Sequence, residues 1–178
     1  MADRNTVQNR RKVPELLSPA GSLDSLRAAV NAGADAVYIG GRKFGARAYA
    51  ENPEEDLLRE GIRYAHIYGA HVHLTVNTLL KDAEMKELES YLMPYYMEGL
   101  DAVIVQDAGV MDYLHRHFPG IPLHASTQTT VTGPESAEFW KKLGAVRVIP
   151  ARELSLKELK NIKDRTGMEV ETFVHGAL

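Results

Sequence analysis

Short apolar runs alternate along this chain with segments of helical pattern, and a glycine marks most junctions where a helix gives way to a strand. The apolar runs cover 15–20, 36–41, 71–79, 102–107, 123–130, 146–152 and 169–176. Helix openings lie between them. Ser22 caps the first, and Asn52-Pro53-Glu54-Glu55 supplies a cap, a proline and acids for the second. Asp82 opens the third, which runs to about Glu98, and the fourth spans Ala108 to His117. Gly133-Pro134-Glu135 opens the fifth, and Ser155-Leu156-Lys157-Glu158 reads as a capping box for the sixth. Gly33, Gly69, Gly99, Gly144 and Gly167 fall where a left-handed helix terminus needs a residue without Cβ. Strands alternating with helices in this way predict a parallel sheet with right-handed crossovers.

Two closures compete, an open doubly wound sheet and a (β/α) barrel. The strand patterns favour the barrel. His71, His73, Thr75 and Asn77 alternate with Val72, Leu74 and Val76, and His124, Ser126 and Gln128 alternate with Leu123, Ala125 and Thr127. One polar parity pointing into a barrel and one apolar parity facing helices accounts for this; a central strand of an open sheet is apolar on both faces. Ala20-Gly21-Ser22 is a helix cap, not a dinucleotide-binding fingerprint. The fold expected is therefore an incomplete TIM-barrel-like α/β fold of about seven parallel strands and six helices. A full barrel has eight of each and about 250 residues, so 178 residues fall short by about one strand and two helices. Residues 1–13 read as a disordered tail and 14–178 as a truncated barrel domain, with open strand edges able to drive self-association.

Composition removes several chemistries. The chain has no cysteine, which excludes disulfides, thiolate nucleophiles and iron–sulfur ligation from this stretch. No apolar run approaches the ~20 residues that span a bilayer, so no membrane contact is expected and the cytoplasm is the default location. A net charge of −3 gives no global field for nucleic acid; any such binding would be local.

In barrels the working face is the C-terminal end of the strands. Those ends bring Tyr38, Asn77, Gln106, Asp107, Ser126, Gln128 and Arg152 to one mouth as candidate substrate-binding residues, with Glu15, Glu171 and His175 as catalytic candidates. Asp107 also reads as a helix cap, and Gln128 as a partner for a loop carbonyl. Glu15, His73, His124 and Glu171 share an inward parity, better read as a buried polar network than as a metal site. Like charges that meet inside should raise one carboxyl pKa. The 42–52 connection places Arg42, Lys43, Phe44, Arg47 and Tyr49 over the mouth, where Arg47 and Arg152 suit an anion. Neither G-x-S-x-G nor H-E-x-x-H occurs.

Taken together, Glu15-Leu16-Leu17-Ser18-Pro19-Ala20-Gly21, Ala36-Val37-Tyr38-Ile39-Gly40-Gly41, Val105-Gln106-Asp107, Ser126-Thr127-Gln128, Ala151-Arg152-Glu153-Leu154-Ser155 and Glu171-Thr172-Phe173-Val174-His175-Gly176-Ala177-Leu178 resemble the collagenase-like peptidase family U32, from about Pro14 onward. The last motif matches Glu-x-Phe-x-x-Gly-Ser/Ala-aliphatic, which in the family continues into cysteines. The resemblance implies either a peptidase or an oxygen-independent hydroxylase of tRNA, rRNA or a quinone precursor. It also implies an iron–sulfur cluster in full-length relatives, held by cysteines beyond Leu178, and prephenate as a small anionic substrate beside RNA. On that reading this stretch alone holds no cofactor and is inactive by itself. A non-catalytic substrate-binding module is a further alternative. The residues themselves favour hydroxylation over proteolysis, because they offer no nucleophile or metal-bound water.

Overall fold

The computed structural model describes residues 13–46 and 51–176. The expected tail before Val13, Arg47 and Tyr49 of the mouth loop, and Ala177-Leu178 lie outside the described residues. Seven parallel strands are joined by six helices: β1 Leu17–Ala20, α1 Leu23–Asn31, β2 Ala36–Gly40, α2 Glu55–Ile67, β3 His71–Val76, α3 Asp82–Met97, β4 Ala102–Val105, α4 Ala108–His117, β5 Leu123–Ala125, α5 Pro134–Lys142, β6 Ala145–Val148, α6 Leu156–Thr166 and β7 Glu169–Val170. The strands pair in chain order from β1 to β7, without the reversal that marks a doubly wound sheet.

The sheet is curled. Neighbouring strands lie about 4.8 Å apart, so β1 and β6 would be separated by about 24 Å in a flat sheet, further than two side chains reach. Yet Arg147 Nη1 on β6 donates to Glu15 Oε1, just before β1, at 2.8 Å. The His73 ring on β3 and the His124 ring on β5 likewise meet edge to face across β4, with centroids 4.9 Å apart. These contacts require a half-barrel whose inward side chains converge.

Local chemistry explains the elements. Ser22 Oγ accepts from Ser25 N at 3.2 Å, and Ser155 forms the reciprocal box with Glu158. Asp107 caps α4 by accepting from Gly109 N at 2.7 Å and Val110 N at 3.1 Å. The five junction glycines all have positive φ, from 68° at Gly167 to 107° at Gly144. One expected cap is not used. Asn52 leaves α2 uncapped by a side chain, because its amide oxygen is turned toward Gly40 on β2. The outward parity, including Val37, Ile39, Leu74, Val103, Ala125 and Val148, packs against Leu26, Leu58, Ile62, Leu92, Leu114 and Ile162 of the helices.

Two strands stop earlier than their apolar runs. β5 ends at Ala125, and Ser126 then caps a 3-10 turn over Thr127–Thr129. β7 ends at Val170 rather than near Gly176. Its last ladder bond is Glu171 N to Val148 O at 3.0 Å, beyond which Pro150 follows in the β6 segment without an N–H.

The mouth loop after β2 is pinned at close quarters. A Cβ on Gly41 would stand 2.2 Å from Tyr91 Oη of α3, and Phe44 packs edge to face on the Tyr91 ring at 5.0 Å. Gly41→Ala should therefore destabilise the protein by about 1–3 kcal/mol through overpacking. Tyr91→Phe, which removes the clashing oxygen, should restore most of that loss in a double-mutant cycle measured by urea unfolding. Additive effects would show that the clash is not the cause.

Candidate functional site

The inward ends of the strands line a half-open cavity of about 180 Å³ at the C-terminal mouth. Its wall takes Ala20 from β1, Tyr38 and Gly40 from β2, Thr75 and Asn77 from β3, and Ile104 from β4. Ser126, Thr127 and Gln128 follow from the turn after β5, then Ile149 and Arg152 from the segment after β6, and Glu171 and Phe173 after β7. Polar groups thus ring a space whose floor is apolar at Ile104 and Ile149, an arrangement suited to orienting a small polar ligand.

Five of the expected substrate-binding residues meet there: Tyr38, Asn77, Ser126, Gln128 and Arg152. Asn77 also shapes the wall, since its Oδ1 accepts from Ala46 N at 2.9 Å and ties the mouth loop to β3. Ser126 is buried and its Oγ donates to Gln128 Oε1 at 3.3 Å, so the two are held as a unit. The Arg152 guanidinium lies over the Phe173 ring, 4.5 Å from its centroid. Phe44 and Thr130 are the non-glycine residues with positive φ among the described ones, at 64° and 55°, and both belong to loops at this mouth. Such strain concentrates at ligand clamps.

Other expected residues stand elsewhere. Asp107 uses its oxygens on backbone N–H groups: Oδ1 serves the α4 cap, and Oδ2 accepts from Leu80 N at 3.3 Å. It is a cap and loop tie, not a member of the cavity wall. Gln106 is half-buried outside that wall, and His175 is exposed because β7 ends before it. Arg47 lies outside the described residues.

Beneath the cavity sits the group that the sequence reading did not single out. Arg147 is only 13% exposed and serves three carboxylates: Glu15 at 2.8 Å, Glu169 at 2.8 Å and Glu171 at 3.3 Å. Burial opposes its charge, but hydrogen bonds and attraction from Glu15 and Glu169 outweigh that and hold the guanidinium protonated. Glu15 and Glu171 therefore do converge inside, on one guanidinium nitrogen. Burial pushes the Glu171 carboxyl up; Arg147 pulls it back, and Glu15 adds a smaller upward push. Desolvation thus outranks the like-charge effect expected from sequence.

His73 and His124 complete the interior. Burial drives His73 down to about 4 and His124 down to about 2, Arg147 adding to the effect on both. Both imidazoles are neutral at pH 7, and the Nδ1 atom of each has no hydrogen-bond partner among the described residues. No three His, Asp or Glu side chains among the described residues are placed to hold a metal ion, and the chain has no cysteine. The donors present in this stretch thus do not fit an iron–sulfur cluster.

The sequence model of Peptidase family U32 matches residues 21–178. The chain belongs to peptidase family U32. Its relatives carry two kinds of name. It is 37% identical over 178 residues to tRNA hydroxylation protein P1 of Bacillus subtilis, covering 98% of this chain and 42% of that protein. It is 43% identical over 173 residues to the 23S rRNA 5-hydroxycytidine C2501 synthase of Escherichia coli, covering 97% of this chain and 26% of that protein. An uncharacterized protease of Methanocaldococcus jannaschii is 43% identical over 169 residues, covering 92% and 41%. The U32 family chain thus spans less than half the length of these relatives. Among solved structures, the U32 peptidase Mk0906 superposes with a TM-score of 0.75 at 20% identity, over 90% of this chain and 68% of that one. A thiamine phosphate pyrophosphorylase from Pyrococcus furiosus gives 0.60 at 16% identity, over 88% and 72%. Both likenesses concern the fold.

Proposed function

We propose that this U32 half-barrel is the substrate-binding portion of a protein that hydroxylates tRNA or rRNA. The observation that carries the reading is the mouth cavity: amides, a buried serine and an arginine stacked on a phenylalanine surround a small, half-open space. Such a wall suits a small anionic molecule, prephenate being the one the family reading implies, or an RNA base splayed out of its strand. The names of relatives at 37% and 43% identity support the same reading. Arg152 would face a carboxylate or phosphate, while Gln128, Asn77 and Ser126 offer hydrogen bonds to ring substituents. The iron–sulfur cluster implied by the family would supply redox chemistry from cysteines outside this stretch. A protein acting on RNA in this way would work in the cytoplasm; no helix among the described residues is long and apolar enough to cross a membrane.

A peptidase is the second reading, favoured by the protease name of the M. jannaschii relative. It calls for an activated nucleophile, and the hydroxyls at the mouth bond to amides and carbonyls instead: Ser126 to Gln128, Thr127 to Pro150 O and Thr129 to Ser126 O. Nucleoside mass spectrometry of tRNA and rRNA from cells lacking the gene separates the two. Loss of one hydroxylated pyrimidine is expected. Unchanged RNA together with a lost proteolytic activity would favour the peptidase.

A further inference from the structure

Three carboxylates share the single guanidinium of Arg147, leaving the cluster two negative charges in excess if all are ionised. Their shares are unequal. Glu15 and Glu169 take the short bonds, at 2.8 Å each, while Glu171 takes the long one at 3.3 Å. Their exposures run the other way: the Glu171 side chain is 18% exposed, against 31% for Glu15 and 66% for Glu169. A carboxylate that is both the most buried and the least well paired is the one whose charged form is least stabilised. Glu171 is also the member of the three that lines the mouth cavity.

The other charged or titratable groups around it leave that role to Glu171. His73 from β3 and His124 from β5 are buried and neutral. Arg147 from β6 stays charged. Glu169 from β7 is mostly solvated and bonded to Arg147. Arg152 faces the Phe173 ring from the segment after β6.

The geometry points to Glu171 as the group that exchanges a proton with the occupant of the cavity, and to Glu15 as the positioning residue that keeps it available by occupying Arg147. The step moves one proton, from an O–H or N–H of the bound molecule to a Glu171 carboxylate oxygen or back again, with no change in oxidation state. The inference rests on the cavity being the substrate site. It adds that Glu15 weakens the pull of Arg147 on Glu171 by taking the same Nη1 donor at the shorter distance.

Two measurements test it separately from the reaction assigned above. The first follows Glu171 by carbon-13 NMR in this chain, with no ligand present. Wild-type Glu171 should titrate above the ordinary glutamate range of about 4.3, and Glu15→Gln should lower its midpoint, because a neutral amide competes less strongly for Arg147 and no longer repels the carboxylate. A midpoint that stays put or rises in Glu15→Gln overturns the proposal, whatever reaction the whole protein performs. The second is the pH profile of hydroxylation by the full-length protein. Glu171→Gln should lower kcat at least about a hundredfold, the usual size of an acid–base contribution, with part of the loss recovered by Glu171→Asp. Glu15→Gln should move the limb due to Glu171 to lower pH. A Glu171→Gln protein with undiminished kcat, or a Glu15→Gln profile superimposable on wild type, would contradict it. A purely structural glutamate would change the unfolding midpoint and leave that limb in place.

Discussion

Replacing Arg147 with methionine is expected to remove about 3–5 kcal/mol of stability at neutral pH, the size seen when one partner of a buried ion pair is deleted. The side chain is 13% exposed, and its loss leaves the largely buried Glu171, and the partly solvated Glu15 beside it, without a counter-charge. It also removes the bond that joins β6 to the residues before β1. The pH dependence distinguishes this from a packing defect. Stranded carboxyls have raised pKa values, so the folded state binds more protons than the unfolded one and stability falls as pH rises above the ordinary glutamate range. The deficit of Arg147→Met should therefore shrink on acidification. Arg147→Lys keeps a charge but not the planar fork that reaches three acceptors, and should lie between the two. Urea unfolding at pH 7.5 and 5.5 measures all three proteins. A loss below about 1 kcal/mol at pH 7.5 would mean that the cluster does not hold the half-barrel in its curl.

The second large effect is loss of stability in mild acid. His73 and His124 are buried neutral, with values near 4 and 2, against about 6.5 when unfolded. A lowered base binds fewer protons folded than unfolded, so its contribution is complete above about pH 6.5 and declines as pH falls toward the folded value. Between pH 7.5 and 5 the linkage relation gives a loss of about 2 kcal/mol for each histidine, about 4 kcal/mol together. This window lies above the ordinary titration of Asp and Glu. The raised Glu171 has the opposite sign and offsets a small part of the loss. The His73→Phe, His124→Phe double variant should have a nearly flat profile over this range, whatever its absolute stability. An unchanged slope in that variant would place the proton uptake elsewhere.

Much of the fold was legible because its signals are local. Ser22, Asp107, Gly133-Pro134 and Ser155 each fix a helix start within a few residues of themselves, and each acts as expected. The alternation in 71–77 identified the polar interior, and His73 and His124 meet there. Arg147 was not legible, and the cause is a bulge. Leu123 pairs with Ala145, but His124 then pairs with Arg147, skipping Val146. Strict alternation would have put Val146 inside beside His124 and Arg147 outside among the helices; the extra residue inverts the parity and leaves Val146 half exposed. A one-residue slip between two strands leaves no mark in the sequence of either. His175 shows the converse error. A β-favouring run continued past the point where β6 could pair with it, so the strand ended at Val170 and carried His175 to the surface. Arg152 and Phe173 were each visible in sequence, but their stacking depends on two loops meeting across the mouth.

On the proposed function, the mouth cavity is where the full-length protein holds its substrate. Complementation of a strain lacking the gene, using the full-length protein with Gln128→Ala and Arg152→Ala together, tests it most directly. Both side chains line the cavity, and neither is among its buried residues, so the variant should fold and accumulate normally. Mass spectrometry of nucleosides from its RNA should show the hydroxylated pyrimidine restored by the wild-type protein and reduced at least about tenfold with the variant, the loss expected for each 1.4 kcal/mol of binding removed. Full hydroxylation by a stable, normally expressed double variant would contradict the account.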